Sequence, residues 1–259
     1  MLGLIICLVV IARVRLLDVP LERDEGEYAY MGQLLLQGIP PYGAVYNMKF
    51  PGTYLIYALT MFLFGQTIQG IHLGLLAVNC LTVLLLFFLC KKIVNDVAAI
   101  VASGAYAVLS LSASVYGFAA HATHFVVLPA VGGAIFLHDA LEKNRARYYV
   151  LSGIMFGLAF LMKQPGGFFA AFGVFFLIFR FLSAQAALSL KRKILNLTMF
   201  ISAALLPLFV AMLWLYAAGV FDKFLFWTIQ YAAKYATQVP FSDVFKCFTY
   251  GFLTVVDGF

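Results

Sequence analysis

Charge is what this chain has least of. Asp, Glu, Lys and Arg supply 11% of its 259 residues, against 64% hydrophobic. A soluble domain is ordinarily about a quarter charged and about half apolar. Too little polar surface remains to keep this composition in water, so a soluble enzyme is excluded. The apolar runs also lack the alternation of apolar and polar residues that marks the strands of a membrane barrel. Cysteine is scarce: Cys7, Cys80 and Cys90 lie in or at the end of apolar runs, and with Cys247 they show no ligand spacing. That argues against a disulfide framework or a thiolate metal site. The N-terminus has neither the basic flank nor the cleavage site of a signal peptide. The chain starts directly in one apolar run and stops inside another, so we expect it to be a fragment of a longer protein.

What is present is a series of apolar runs near the 20 residues that cross a hydrocarbon core of about 30 Å. They predict an all-α polytopic bundle, one transmembrane domain over 1–259. The expected spans are Leu2–Leu17, Ile68–Cys90, Val97–Tyr116, Thr123–Leu141, Tyr148–Met162, Gly167–Leu182 and Ile194–Val220, with a partial eighth over Val244–Phe259. Thr53–Gly65 is apolar but short, which suits a re-entrant or interfacial helix. If it does not span, Lys91/Lys92, Lys143/Arg145/Arg147 and Lys191/Arg192/Lys193 share one side, the cytoplasm by the positive-inside rule. The net charge of +6 then reflects topology and anionic head groups, not nucleic acid. The expected location is a plasma or inner membrane, with the loop at 18–51 on the outer face. Arg13 and Arg15 stand against the rule. They are expected to snorkel to the outer interface or to pair with the acids that follow.

The acidic residues are the informative minority. Five of the eleven lie between Asp18 and Glu27, four of them in Glu22-Arg-Asp24-Glu25-Gly-Glu27-Tyr28. An amphipathic helix is expected to follow from Ala29 to Gln37, ended by Gly38 and Pro40-Pro41. Acids at a helix start also suit the positive end of its dipole, so a solvated cap alone would explain them. The same loop continues to Lys49-Phe-Pro51-Gly-Thr-Tyr54, a lysine ahead of a proline-started short helix. A carboxylate facing a lysine at head-group level suits a lipid phosphate: the lysine holds the phosphate and the carboxylate takes a proton from a nucleophile.

The order Asp24-Glu25-Gly26-Glu27-Tyr28-Ala29-Tyr30, Gly38, Pro41-Tyr42 and Lys49-Phe50-Pro51-Gly52-Thr53-Tyr54 resembles the first outer loop of the dolichyl-phosphate-mannose protein mannosyltransferase-like family. That family includes the lipid A aminoarabinose transferase and has the membrane-embedded GT-C glycosyltransferase fold. A second likeness is Gly157-Leu-Ala-Phe-Leu-Met-Lys163-Gln164-Pro165, similar to the family's lysine turn at the outer face. The resemblance covers roughly residues 8 to 180. It implies transfer of a hexosyl or pentosyl group from a polyprenyl-phosphate donor to a lipid, glycan or protein acceptor of the cell envelope, by inverting displacement. It assigns Asp24 as base, Glu25 to positioning the acceptor or a divalent cation, and Lys49 and Lys163 to the donor phosphate. The chain departs from the aminoarabinose branch at Glu27, where a basic residue is common. It departs again at Phe50-Pro51, which replace a double proline, and at Ala120-His121, where many relatives carry a carboxylate.

His121 and His124 stand three apart. On one helix face opposite Asp24 or Glu25 they would complete a cation site; otherwise they are wetted interfacial histidines. Glu27 and Tyr28 are further candidates for substrate or metal contact. His72 and His138 read as structural. The segment Phe221–Pro240, aromatic with Lys223, Gln230 and Lys234, reads as an interfacial amphipathic helix near the same site. Two rival functions remain. A transporter places ionisable groups near the bilayer midplane, where this sequence has almost none. A non-catalytic scaffold gives no reason for acids and lysines to gather in one loop.

Overall fold

The computed structural model describes residues 1–183, 188–237 and 240–257, and among them there is helix and no strand. The helices are α1 (Leu2–Val14), α2 (Arg23–Leu36), α3 (Pro51–Phe64), α4 (Ile68–Ile93), α5 (Asp96–Leu109), α6 (Ala122–Lys143), α7 (Ala146–Met162), α8 (Gly167–Leu182) and α9 (Leu190–Ala217). Shorter pieces follow: α10 (Phe221–Leu225), a π-helical turn at Phe226–Tyr231, α11 (Ala232–Ala236) and α12 (Val244–Asp257). The last two residues of the expected eighth segment, Gly258 and Phe259, lie outside the described residues.

Among the described residues, four segments are long and apolar enough to cross a membrane: Ile68–Ile93, Ala122–Lys143, Gln164–Leu182 and Leu190–Ala217. The helices α1, α3, α5 and α7 are apolar but shorter. Side chains such as Leu8, Phe62, Phe175 and Phe179 stand exposed around the bundle, as expected of a surface solvated by lipid tails.

The chain sorts its helix ends into two sets. Just past α1, the Leu17 carbonyl lies 3.0 Å from His72 Nδ1, and Asp18 accepts from Gln69 Nε2 at 2.7 Å. The end of α1 and the start of α4 are therefore neighbours. The intervening α2 and α3 leave and return at the same end. At that end Thr53 Oγ1 donates to the Met162 carbonyl at 2.5 Å, and Tyr57 OH to the Ala120 carbonyl at 2.7 Å. The ends of α7 and α5 and the starts of α6 and α8 thus gather around α3. At the opposite end Lys92 and Lys143 clamp Asp139 at 2.5 and 2.8 Å, and Lys193 Nζ donates to the Phe181 carbonyl at 2.5 Å. His138 lies there too, away from the acidic loop.

Two close approaches fix this arrangement. A Cβ on Gly52 would meet the Leu161 carbonyl oxygen at 2.4 Å, so only glycine lets α3 press against the end of α7. Gly153 and Gly157 do the same between α7 and α9, where a Cβ would meet the carbonyl oxygens of Phe200 and Ala204 at 2.4 and 2.3 Å. Small residues four apart let helix backbones touch in lipid, where association depends on packing rather than on water exclusion.

Arg13 corrects its sequence reading. It neither snorkels nor meets the acids. It is 3% exposed, with Nη1 donating to the Gly117 carbonyl at 2.9 Å and Nη2 to that of Ser110 at 3.2 Å. The carbonyls left free where α5 ends need a donor, and α1 supplies it across the bundle. The acidic motif also differs from expectation. It lies inside α2, which starts at Arg23 and not at Ala29. The reason is a reciprocal cap: Glu22 Oε2 accepts from the Asp24 amide at 2.7 Å, and Glu25 Oε2 accepts from the Glu22 amide at 2.9 Å. This is a capping box with glutamate in the usual Ser/Thr place.

Candidate active site

The cap sets the first turn of α2 so that Asp24 and Glu25 project to different places. Asp24 is partly open, and three groups approach its Oδ2. Tyr28 OH, one turn on, donates at 3.3 Å; Lys49 Nζ and His121 Nε2 each stand at 3.9 Å. Its other oxygen meets the exposed Arg23 at 3.2 Å. Lys49 is held by its backbone: its amide donates to Asn47 Oδ1 at 3.0 Å, and its carbonyl accepts from Tyr42 OH at 2.7 Å. Asn47 in turn donates to the Glu27 carboxylate. Burial raises the Glu27 pKa, and the Asn47 contact only partly offsets it.

Lys163 caps α7 and reaches the same surface from the other side. Its Nζ donates to Thr123 Oγ1 at 3.3 Å, and Thr123 Oγ1 lies 3.0 Å from His121 Nδ1. Thr123 thus links Lys163 to His121 through one hydroxyl. The other ring nitrogen, Nε2, faces Asp24. His121 also stacks on Tyr116, ring centroids 5.6 Å apart. Desolvation first, then Lys49, lowers the Lys163 pKa below that of an ordinary lysine. Desolvation, then Lys163 and Lys49, likewise lowers that of His121. The neighbouring Gln164 Nε2 donates to the Met48 carbonyl at 2.5 Å, joining the lysine turn to the loop that carries Lys49.

The structure therefore brings together Asp24, Lys49, His121 and Lys163 with Tyr28 and Thr123, all at one end of the bundle. Three sequence candidates fall elsewhere. Glu25 is 1% exposed, its oxygens taken by the Glu22 amide, the Ala120 amide at 2.5 Å and His72 Nε2 at 3.2 Å. Glu27 is turned to Asn47. His124 is buried with Nε2 3.4 Å from the Tyr116 carbonyl. The expected shared face of His121 and His124 does not form, because His121 is the extended N-cap of α6 and only His124 is in the helix. For a divalent cation, Asp24 and His121 are left as donors. Among the described residues no three His, Cys, Asp or Glu side chains converge. That donor set does not make a cation site.

Two features had no signal in single residues. One is His72, which pairs with Glu25. The other is an apolar groove of about 460 Å³ walled by α3, α4, α6 and α7, including Ile56, Leu85, Phe125, Phe136 and Met162. Met162 precedes Lys163, and Phe125 follows Thr123 by two residues, so the groove begins beside the cations. From Phe125 to Phe136 it runs down α6 by about 16 Å at 1.5 Å per residue, roughly half a bilayer core. Beside the site the π-helical turn adds Trp227, stacked on Tyr46 at 4.1 Å, while Lys223 Nζ donates to the Gly43 carbonyl at 3.1 Å. Of the segment Phe221–Pro240, read as an interfacial helix near the site, Phe221–Ala236 is helical and lies against the loop, while residues 238–239 lie outside the described residues.

The sequence model of the family described as dolichyl-phosphate-mannose-protein mannosyltransferase matches residues 49–216. That span includes Lys49, His121, Lys163 and every wall of the groove; Asp24 lies upstream of it. No curated protein and no solved structure matches the chain. The match covers well over half of the sequence: the chain belongs to this family of membrane glycosyltransferases.

Proposed function

We propose that this family member transfers a sugar from a polyprenyl-phosphate donor to a hydroxyl or amine acceptor on the extracytoplasmic face. The observation that carries the reading is the placing of one carboxylate and two lysines where an apolar groove begins. A polyprenyl tail lies along the groove, which puts its phosphate at Lys163 and Lys49 and the sugar against Asp24. The acceptor attacks the anomeric carbon opposite the phosphate. The new bond forms as the bond from that carbon to the phosphate oxygen breaks, so configuration inverts. The acceptor proton passes to Asp24, and the charge left on polyprenyl phosphate is met by the two ammonium groups. Glu25 holds the first turn of α2 and does not contact substrate.

The donor class is tested in membranes carrying the protein. Radiolabelled sugar on polyprenyl phosphate is expected to move to an acceptor fraction with release of polyprenyl phosphate, while a nucleotide sugar alone gives no product. Transfer from the nucleotide sugar without lipid, or none from any lipid donor, contradicts the proposal. The outer placement rests on the basic clusters at the other end of the bundle. Cysteines introduced at Tyr46 and Arg145 are expected to react with an impermeant reagent from opposite sides of sealed cells. Labelling of both from one side would overturn it.

A further inference from the structure

We infer that His72 is a positioning residue for the Asp24–His121 pair, acting through Glu25. The inference rests on the proposed glycosyl transfer. It starts from chain adjacency: Glu25 follows Asp24, and Ala120 precedes His121. Glu25 Oε1 accepts from the Ala120 amide at 2.5 Å, and Tyr57 OH donates to the Ala120 carbonyl at 2.7 Å. Both backbone groups of the residue before His121 are therefore held, one of them by the residue after Asp24. The separation of Asp24 and His121 depends on where the Glu25 carboxylate stands.

His72 fixes that carboxylate. Its Nδ1 lies 3.0 Å from the Leu17 carbonyl, which can only accept, so Nδ1 carries a proton. Nε2 lies 3.2 Å from Glu25 Oε1, the same oxygen that takes the Ala120 amide. A hydrogen bond there needs one further proton, on Nε2 or on the carboxyl. The two side chains, 3% and 1% exposed, thus hold that proton between them. Without a hydrogen-bond partner at position 72, the buried Glu25 carboxyl loses one of its contacts and either takes a proton of its own or swings toward water. Both outcomes release Ala120 and let His121 and Asp24 drift, and a misplacement of about 1 Å at a reacting centre can cost about 10²-fold.

Two substitutions separate the ring nitrogens. In His72→Asn the amide nitrogen stands in for Nδ1 and keeps Leu17 but loses Glu25. In His72→Gln it stands in for Nε2 and keeps Glu25 but loses Leu17. Per folded molecule, H72N is expected to lower kcat about ten- to a hundredfold with the donor KM unchanged, and H72Q to restore most of that loss. Hydrogen exchange over residues 116–122 reads the clamp without any sugar transfer: faster in H72N, near wild type in H72Q. If the wild type transfers no sugar, the proposed function fails while the exchange result still decides whether His72 holds Ala120. Unchanged exchange in H72N, or equal kcat losses in the two variants, overturns the inference.

Discussion

Asp24→Asn is expected to lower turnover by a factor on the order of 10² or more. The substitution keeps the size of the side chain and an oxygen to accept from Tyr28 OH, now at 3.3 Å. The α2 cap survives, because it uses the Asp24 backbone amide and the side chains of Glu22 and Glu25. Only the capacity to take the acceptor proton is lost. Membrane insertion is unaffected, since the residue lies outside every apolar helix. The check is initial rate per folded protein at saturating donor. A well-expressed variant turning over at the wild-type rate would reject Asp24 as base and leave His121, 3.9 Å away, to be tested next.

Lys49→Ala and Lys163→Ala are each expected to lower kcat/KM for the donor about tenfold to a hundredfold, the usual worth of a hydrogen bond to a charged group. The loss reflects both weaker donor binding and slower phosphate departure. Lys163 adds a pH signature. Its pKa is lowered by burial and then by Lys49, and only the charged amine holds phosphate. Donor affinity should therefore fall as pH rises through that lowered value, earlier than an ordinary lysine would lose its charge. Lys163→Arg keeps a guanidinium charged throughout and should remove the alkaline fall. Donor KM measured against pH in both proteins decides it; a wild-type KM flat into the ordinary lysine range contradicts the assignment.

Much of this was legible in the sequence because hydrophobic periodicity and helix punctuation are local. The short run after Pro51 reads as a helix, and it is one; Leu17 and Asp18 meet His72 and Gln69, so the chain enters and leaves the α2–α3 segment at one place. The order of acid, tyrosine and lysine-proline elements marked the family and pointed to Asp24 and Lys49, and the lysine turn pointed to Lys163, the three groups that converge with His121. One miss was local: the α2 start was overlooked because glutamate at an N-cap is a weak cap by type, and its strength lies in reciprocity with Glu25. The others were long-range. Arg13 was assigned to water or to acids, although it meets carbonyls about a hundred positions away in the chain, a pairing no local pattern records. His72 read as structural, and Glu25 as a residue that positions the acceptor or a divalent cation. The Glu25 oxygen shared by His72 and the Ala120 amide makes them one unit, and it exists only because the first turn of α2 meets the start of α4 and the α5–α6 connection in space. The groove is a space between four helices and has no residue signature at all.

The most direct measurement of the central claim is the position of the phosphate in a structure of the protein bound to a polyprenyl phosphate. The account predicts phosphate density within hydrogen-bond reach of the Lys49 and Lys163 ammonium groups, with Asp24 across from it and the tail along Phe125, Met162 and Phe136. Phosphate at the basic end near Arg180 and Lys191, or a tail outside the groove, would contradict it.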